Sequence, residues 1–226
     1  MTADDLQAAF DSLPAAWRNV LPGWTSASQS SLVAAAFAIS GQRAIAPADP
    51  FRALRLVSPQ AARVVVFGQD PYPGAGQADG MAFSAPQSTR PSLRRIFDVL
   101  EADRPGWKRP HSGRLDAWAA QGVLMLNPTL SVEVGRANSH TNIGWQALTS
   151  QIVAVLARRE AAPTFFLWGS QAKNFFDAAL PSGVEVRRLL TRHPSNDFDR
   201  QFMANGSHFA ATVSLVDWWA LRDPPG

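Results

Sequence analysis

The chain has 226 residues, 46% of them hydrophobic, with eight Trp and thirteen Phe, enough apolar material for one sizeable core. It contains no cysteine, which excludes disulfides, thiolate chemistry, iron–sulfur clusters and cysteine-ligated zinc, and no apolar run reaches membrane-spanning length. The net charge is +3, yet the isoelectric point is about 10.1, because one Tyr and no Cys leave little to lose charge above neutrality.

Of the 21 basic residues 19 are Arg, which suits phosphate contacts and equally follows from a G+C-rich genome. The N-terminus Met1-Thr2-Ala3-Asp4-Asp5 lacks the basic start and apolar core of a signal peptide, so a cytoplasmic location is expected. Helix-like patterns run from Asp4 to Leu13 and from Ser28 to Ile39, broken by Pro14, Pro22-Gly23 and Gly41. A turn at Ala46-Pro47-Ala48-Asp49-Pro50 precedes a short helix from Phe51 to Leu56. Strands and helices then alternate: strand 63–67, helix 92–102 with Ser92 as N-cap, strand 122–126, and helix 145–159 after a break at Gly144. Strand 164–167, helix 171–179, strand 185–190 and a last helix over 207–221 complete the set. The alternation predicts an α/β fold: a single three-layer domain over residues 1–226, with residues 1–60 as its N-terminal helical part. Its centre is a short four-stranded, largely parallel sheet with helices on both faces.

Each predicted strand runs into a polar cluster. Val64-Val65-Val66-Phe67 leads to Gly68-Gln69-Asp70-Pro71-Tyr72, and Val123-Leu124-Met125-Leu126 to Asn127-Pro128-Thr129. Phe165-Phe166-Leu167-Trp168 leads to Gly169-Ser170, and Val186-Arg187-Arg188-Leu189-Leu190 to His193-Pro194-Ser195. Ligands of parallel sheets bind beyond the carboxyl ends of the strands, so a carboxylate, an amide, a hydroxyl and an imidazole are expected to share one crevice.

Singly, each cluster has a structural explanation. Asp70 can cap a turn, His193 can be a satisfied structural histidine, Asn127-Pro128 is turn chemistry, and Gly169-Ser170 can cap a helix. Four such clusters at the ends of one sheet are hard to explain as coincidence. Gly74-Ala75-Gly76-Gln77-Ala78-Asp79-Gly80 is no dinucleotide fingerprint, because its last Gly is one residue late and Met81-Ala82-Phe83-Ser84 does not open a helix. It reads instead as a tight loop approaching a ligand, with Tyr72 and Phe83 as aromatic walls. His111, His140, His193 and His208 show no paired metal-ligand spacing, and His140 reads as a loop residue holding backbone. No Gly-x-Ser-x-Gly elbow supports a serine hydrolase.

In order, and over about residues 45–220, these segments resemble the family 1 uracil-DNA glycosylases. Gly68-Gln69-Asp70-Pro71-Tyr72 with Gly76-Gln77-Ala78, Gly80 and Ala82-Phe83-Ser84 is similar to that family's water-activating loop. Arg90-Pro91-Ser92-Leu93 resembles its Pro-rich loop, and Gly122 to Asn127 with Leu130-Ser131-Val132 its uracil-reading strand. Leu167-Trp168-Gly169-Ser170 resembles its Gly-Ser loop and His193-Pro194-Ser195 the start of its DNA-intercalation loop, while Asn205 and Val216-Asp217-Trp218 fall into register. The resemblance implies a DNA-repair enzyme hydrolysing the N-glycosidic bond of deoxyuridine in single- or double-stranded DNA, after flipping the base. It implies a monomer with no metal or organic cofactor and no membrane association. Asp70 and His193 are implied as catalytic, the first stabilising a sugar cation and orienting water, the second donating to uracil O2. Gln69, Tyr72, Phe83 and Asn127 are implied to hold uracil: Asn127 reads its Watson–Crick edge, Phe83 stacks, and Tyr72 excludes thymine's methyl. Pro91, Ser92, Gly169, Ser170, Ser195, Phe198 and Arg200 are implied to meet DNA.

Three positions depart from the family. Pro73 stands where it has His, removing a donor near the attacking water and predicting a lower rate. Pro128 stands where it has Thr, stiffening the loop. Asp197 stands where it has the Leu that fills the space left by the flipped base, and a carboxylate is a poor wedge in stacked, anionic DNA. Phe198 or Arg200 then substitutes, or the protein traps spontaneously open bases. A changed single- versus double-strand preference and weak inhibition by the phage-encoded inhibitor protein are expected. The alternatives are a uracil or damaged-DNA reader, a glycosylase for another base, and a nucleotide or sugar-phosphate enzyme on a similar sheet. Asp70 and His193 argue against a pure reader, and intact Tyr72, Phe83 and Asn127 against another base.

Overall fold

The computed structural model describes residues 1–223. The first helix, α1 (Ala3–Asp11), is capped by Thr2, whose hydroxyl takes the Asp5 N–H while the Asp5 carboxylate takes the Thr2 N–H. A short turn of helix, α2 (Ala15–Arg18), and α3 (Ser26–Ser40) follow. Phe10, Trp24, Phe51 and Trp145 pack ring against ring and join these helices to the body of the protein. Two buried indoles fix the joint: Trp17 Nε1 donates to the carbonyls of Leu54 and Val57, and Trp24 Nε1 donates to Leu148 O at 2.7 Å.

After β1 (Ile45–Ala46) and α4 (Arg52–Leu56) come β2 (Val64–Phe67), α5 (Pro91–Asp103), α6 (Asp116–Ala119) and β3 (Val123–Leu126). The chain continues through β4 (Val132–Glu133), α7 (Trp145–Ala157), β5 (Thr164–Trp168), α8 (Ser170–Ala179) and β6 (Arg188–Thr191). The main sheet has the order β3-β2-β5-β6 and every pairing in it is parallel. β1 and β4 form a separate antiparallel pair. All residues of β2, β3 and β5 are buried. Alternate strand residues face opposite sides, so both faces of the sheet are covered, which is why these runs are continuously apolar. After β2 the chain leaves towards β3, and after β5 it leaves towards β6. The crevice between the carboxyl ends of β2 and β5 is therefore the topological switch point.

Three elements differ from the expected pattern. The edge strand is β6 at 188–191, not 185–190; its residues alternate between exposed and half-buried, so the Val186-led run does not mark its start. Helix α5 begins at Pro91 after Arg90, so Ser92 lies inside the first turn and is not its cap. Residues 207–221 form no continuous helix but two 3₁₀ turns, Ala210–Thr212 and Trp218–Ala220. Specific bonds of buried side chains shape this stretch: Trp168 Nε1 donates to His208, Trp218 Nε1 to Thr212, and Trp118 Nε1 to the Trp218 carbonyl.

Candidate active site

At the carboxyl end of β2 the chain enters a long loop whose course is fixed by backbone bonds to β3. Gly68 N–H donates to Leu126 O at 3.0 Å, and Ala82 N–H to Met125 O at 3.0 Å. Any side chain at Gly68 would displace Asn127, because a Cβ would stand 2.1 Å from its Oδ1. The far end of the loop is pinned by Asp79, which accepts from Met81 N–H at 3.1 Å, Ser84 Oγ at 2.6 Å and Arg52 at 3.0 Å. That clamp holds Phe83 at φ +63°, a conformation that only firm surrounding contacts sustain in a bulky residue. The Phe83 ring lies against Trp168 and His193, with centroids 5.4 and 6.0 Å apart.

A small cavity of about 140 Å³ opens between these elements. Gln69, Asp70, Tyr72, Phe83, Ser92, Asn127 and His193 all line it, so one carboxylate, two amides, one imidazole, one hydroxyl and two aromatic rings converge. The hydroxyl is that of Ser92, not the expected Ser170, which lies outside this cavity. It is smaller than the ~300–1,000 Å³ of drug-sized sites and suits one flat single ring. A larger hollow of about 790 Å³ lies on the other side of Gln69, but no ionisable side chain lines it.

Asp70 is oriented by Asn138, whose N–H donates to Oδ2 at 2.8 Å, while Gln69 Nε2 donates to Asn138 Oδ1 at 2.8 Å. Burial pushes the Asp70 carboxyl above its ordinary value, and the N–H groups of Asn138 and of Asp70 itself oppose that rise. One carboxylate oxygen, Oδ2, is thus occupied, while Oδ1 accepts from no other residue among the described residues. Asn127 is buried and its side-chain amide makes no hydrogen bond among the described residues. Burial also lowers the pKa of His193, favouring neutral imidazole. Its Nδ1 accepts from Ser195 N–H at 3.1 Å and meets Ser195 Oγ at 2.7 Å. A nitrogen that accepts a backbone N–H carries no proton, so the ring proton sits on Nε2.

Tyr72 is held by a hydroxyl contact to Phe83 O at 3.4 Å and by the Arg90 guanidinium, 5.5 Å over its ring. Gly169 has φ +92° and a Cβ there would lie 2.8 Å from His193 Cβ, so this glycine lets β5 turn straight into α8 against the imidazole. Gly169, Ser170 and His193 share a shallow depression of about 510 Å³ with Lys173 and Arg192. Pro91 and Ser92 form the first turn of α5. Ser195 sits in the 3₁₀ turn Pro194–Asn196, and Phe198 and Arg200 are exposed on the loop after it. Asp197 is no wedge: its side chain is 1% exposed, ion-paired with Arg95 and turned inward, whereas Phe198 is 96% exposed.

Three positioning groups lie outside the expected set. Asn138, Asp79 and Arg90 act on Asp70, Phe83 and Tyr72; Asp79 and Arg90 lie within the segments that carry the resemblance, and Asn138 lies outside them. His140 is buried with its ring between Ser40 Oγ and Ser131 Oγ, at 2.9 and 2.8 Å, so it ties side chains together and does not hold backbone. Burial takes its pKa down to about 4, leaving it neutral.

A parallel sheet that brings a carboxylate, amides and an imidazole to one ring-sized pocket at its switch point is the arrangement of an α/β enzyme site. Residues 55–216 match the Uracil DNA glycosylase superfamily. The uracil-DNA glycosylase of Bordetella parapertussis is 42% identical over 194 residues, 84% of this chain and 76% of that protein. That of Ralstonia pickettii is 42% identical over an alignment of 238 positions, gaps included, that covers 97% of this chain and 86% of that one. Among solved structures, a mimivirus UNG variant in complex with UGI superposes with a TM-score of 0.71 at 23% identity, covering 81% of this chain and 70% of that one. UNG from Nitratifractor salsuginis gives 0.57 at 22% identity, covering 84% and 87%. These two likenesses concern the fold. The chain belongs to the uracil DNA glycosylase superfamily.

Proposed function

We propose that this protein removes uracil from DNA by hydrolysing the N-glycosidic bond of deoxyuridine, leaving an abasic site. One observation carries the reading: Asp70, the unpartnered Asn127 amide and the Nε2–H of His193 line the same ring-sized cavity. A flipped uracil stacked on Phe83 presents its Watson–Crick edge to Asn127 and its O2 to His193. As the bond from N1 to C1′ breaks, its electron pair leaves with uracil, and the His193 Nε2–H donates to the oxygen where charge gathers. The Asp70 carboxylate faces the positive sugar, and its unoccupied oxygen receives the proton of the water that adds to C1′. Backbone contacts to Pro91, Ser92, Gly169, Ser170 and Ser195 fit the helix starts and small hydroxyls at the mouth. Phe198 is read as the apolar wedge and Arg200 as a phosphate contact beside it.

Residues 1–226 are read as one catalytic domain, supported by a hydrophobic core that runs without a break from Leu6 to Leu221. The protein is further read as a cytoplasmic monomer; no helix among the described residues is long and apolar enough to cross a membrane. Expression in bacterial cells lacking uracil excision tests the function: the frequency of C·G to T·A mutations should fall, and an unchanged frequency would refute it. Gly68→Ala should push the Asn127 amide aside and lower kcat/KM for uracil release about 100-fold. Wild-type kinetics in that variant would remove Asn127 from the recognition scheme. Inhibition by the phage-type inhibitor protein is read as weak, because Asp197 turns inward and leaves Phe198 in place of a leucine. Complete inhibition at one equivalent would contradict this.

A further inference from the structure

We infer that Arg95 and Asp197 are a positioning pair that holds Phe198 outward and thereby sets activity on duplex relative to single-stranded DNA. The inference rests on the glycosylase function proposed above.

Asp197 closes the loop on itself. Its Oδ1 accepts the Phe202 N–H at 2.6 Å, its carbonyl accepts the Arg200 N–H at 3.2 Å, and its Oδ2 is bound by Arg95 Nε. The carboxylate is buried while the next side chain, Phe198, stands in solvent. Turning Phe198 inward would therefore require extracting a charged group from its partners. Burial acts to raise the Asp197 pKa, but Arg95 and the Phe202 N–H outweigh it and keep the group ionised. Other charges nearby are Asp98, 3.8 Å from both Arg95 and Arg200, and Arg109, 2.9 Å from Asp98.

Both anchors of the loop belong to the active site's own framework. Arg95 is one turn along α5 from Ser92, which lines the cavity. The returning end is tied by Met203 N–H to Thr191 Oγ1 at 2.8 Å, and the Phe202 ring packs edge-on against Trp168, the residue behind Phe83. A side chain presented by such a loop needs no ordering when it enters the stack, and the loop keeps its register to the pocket. Only duplex DNA demands that a stacked pair be opened, so looseness in the loop weighs on duplex substrate above all.

The test is single-turnover uracil release by the full chain from single-stranded and duplex oligonucleotides of one sequence. Phe198→Ala should lower the duplex rate roughly tenfold. Asp197→Asn and Arg95→Met should lower it by about threefold to tenfold, with single-strand rates within about twofold of the parent, and Arg95→Lys should recover part of the loss. Asp197→Asn added to Phe198→Ala should cost nothing more on duplex, because both act through the same side chain. Equal losses on both substrates, or additive losses in the double variant, would overturn the inference. Should Arg95→Met fail to fold, Asp197→Asn, which retains the bond to Phe202, carries the same comparison. Absence of release by the unaltered protein from either substrate would be failure of the glycosylase reading, a separate outcome.

Discussion

Asp70→Asn should slow uracil release about 1,000-fold or more while leaving the fold and the binding of uracil-containing DNA intact. The amide keeps the shape that accepts the Asn138 N–H but loses the charge that faces the sugar cation and the basicity that takes water's proton. His193→Ala should cost roughly 100- to 1,000-fold, the usual loss for one donor at a developing anion. The proposed mechanism requires one protonation state of each group, and the signs agree. Asp70 must be ionised, and burial raises its pKa above the ordinary 3.8. His193 must be neutral, and burial lowers its pKa below the ordinary 6.5. Each form is lost as pH falls, so kcat/KM should decline only on the acid side, with the His193 limb below pH 6.5 and the Asp70 limb above pH 3.8. A decline between about pH 7 and 9 that vanishes in His193→Ala would mean that imidazolium is the working form, against the Ser195 N–H on Nδ1.

Tyr72→Ala should open the pocket to thymine. Tyr72 lines the cavity and is fixed from two sides, by its contact with the Phe83 carbonyl and by Arg90 over its ring. A wall held that firmly cannot give way to an extra methyl group at C5. Its removal should reduce the preference for uracil over thymine by about 100-fold or more, with a smaller loss of uracil rate because the hydroxyl contact to the Phe83 carbonyl is lost. Tyr72→Phe should keep the exclusion. Competition between the two bases in otherwise identical oligonucleotides measures the ratio, and an unchanged ratio in Tyr72→Ala would move discrimination to another wall.

Much of this site is legible along the chain because parallel strands buried on both faces are apolar runs, and the residues at the carboxyl end of each run stand where a ligand binds. Val64–Phe67, Val123–Leu126 and Phe165–Trp168 are such runs, so Asp70, Asn127 and Ser170 announce themselves. The edge strand β6 is half-exposed, and Arg188 within it blurs the pattern. Asn138 and Arg95 are hidden for another reason: their partners are far away in sequence. Asn138 reaches Asp70 across 68 positions and Arg95 reaches Asp197 across 102, distances over which no local spacing rule operates. Asp197 shows the cost of reading position by position. Where it stands in the family's order it looks like a damaged wedge, and only its burial against Arg95 shows that it supports the neighbour that takes the exposed place. The C-terminal stretch fails for a related reason, since indole bonds from Trp118, Trp168 and Trp218 decide its course and helical periodicity does not.

The most direct measurement is uracil release by the unaltered protein from matched single-stranded and duplex oligonucleotides carrying one uracil, without added metal, with thymine and cytosine substrates alongside. Release of free uracil alone, leaving an alkali-labile abasic site and greatly slowed in Asp70→Asn and His193→Ala, is the expected result. Tight binding of uracil-containing DNA with no release would contradict it and make the protein a reader of uracil, with Pro73 the first residue to examine for the loss of catalysis.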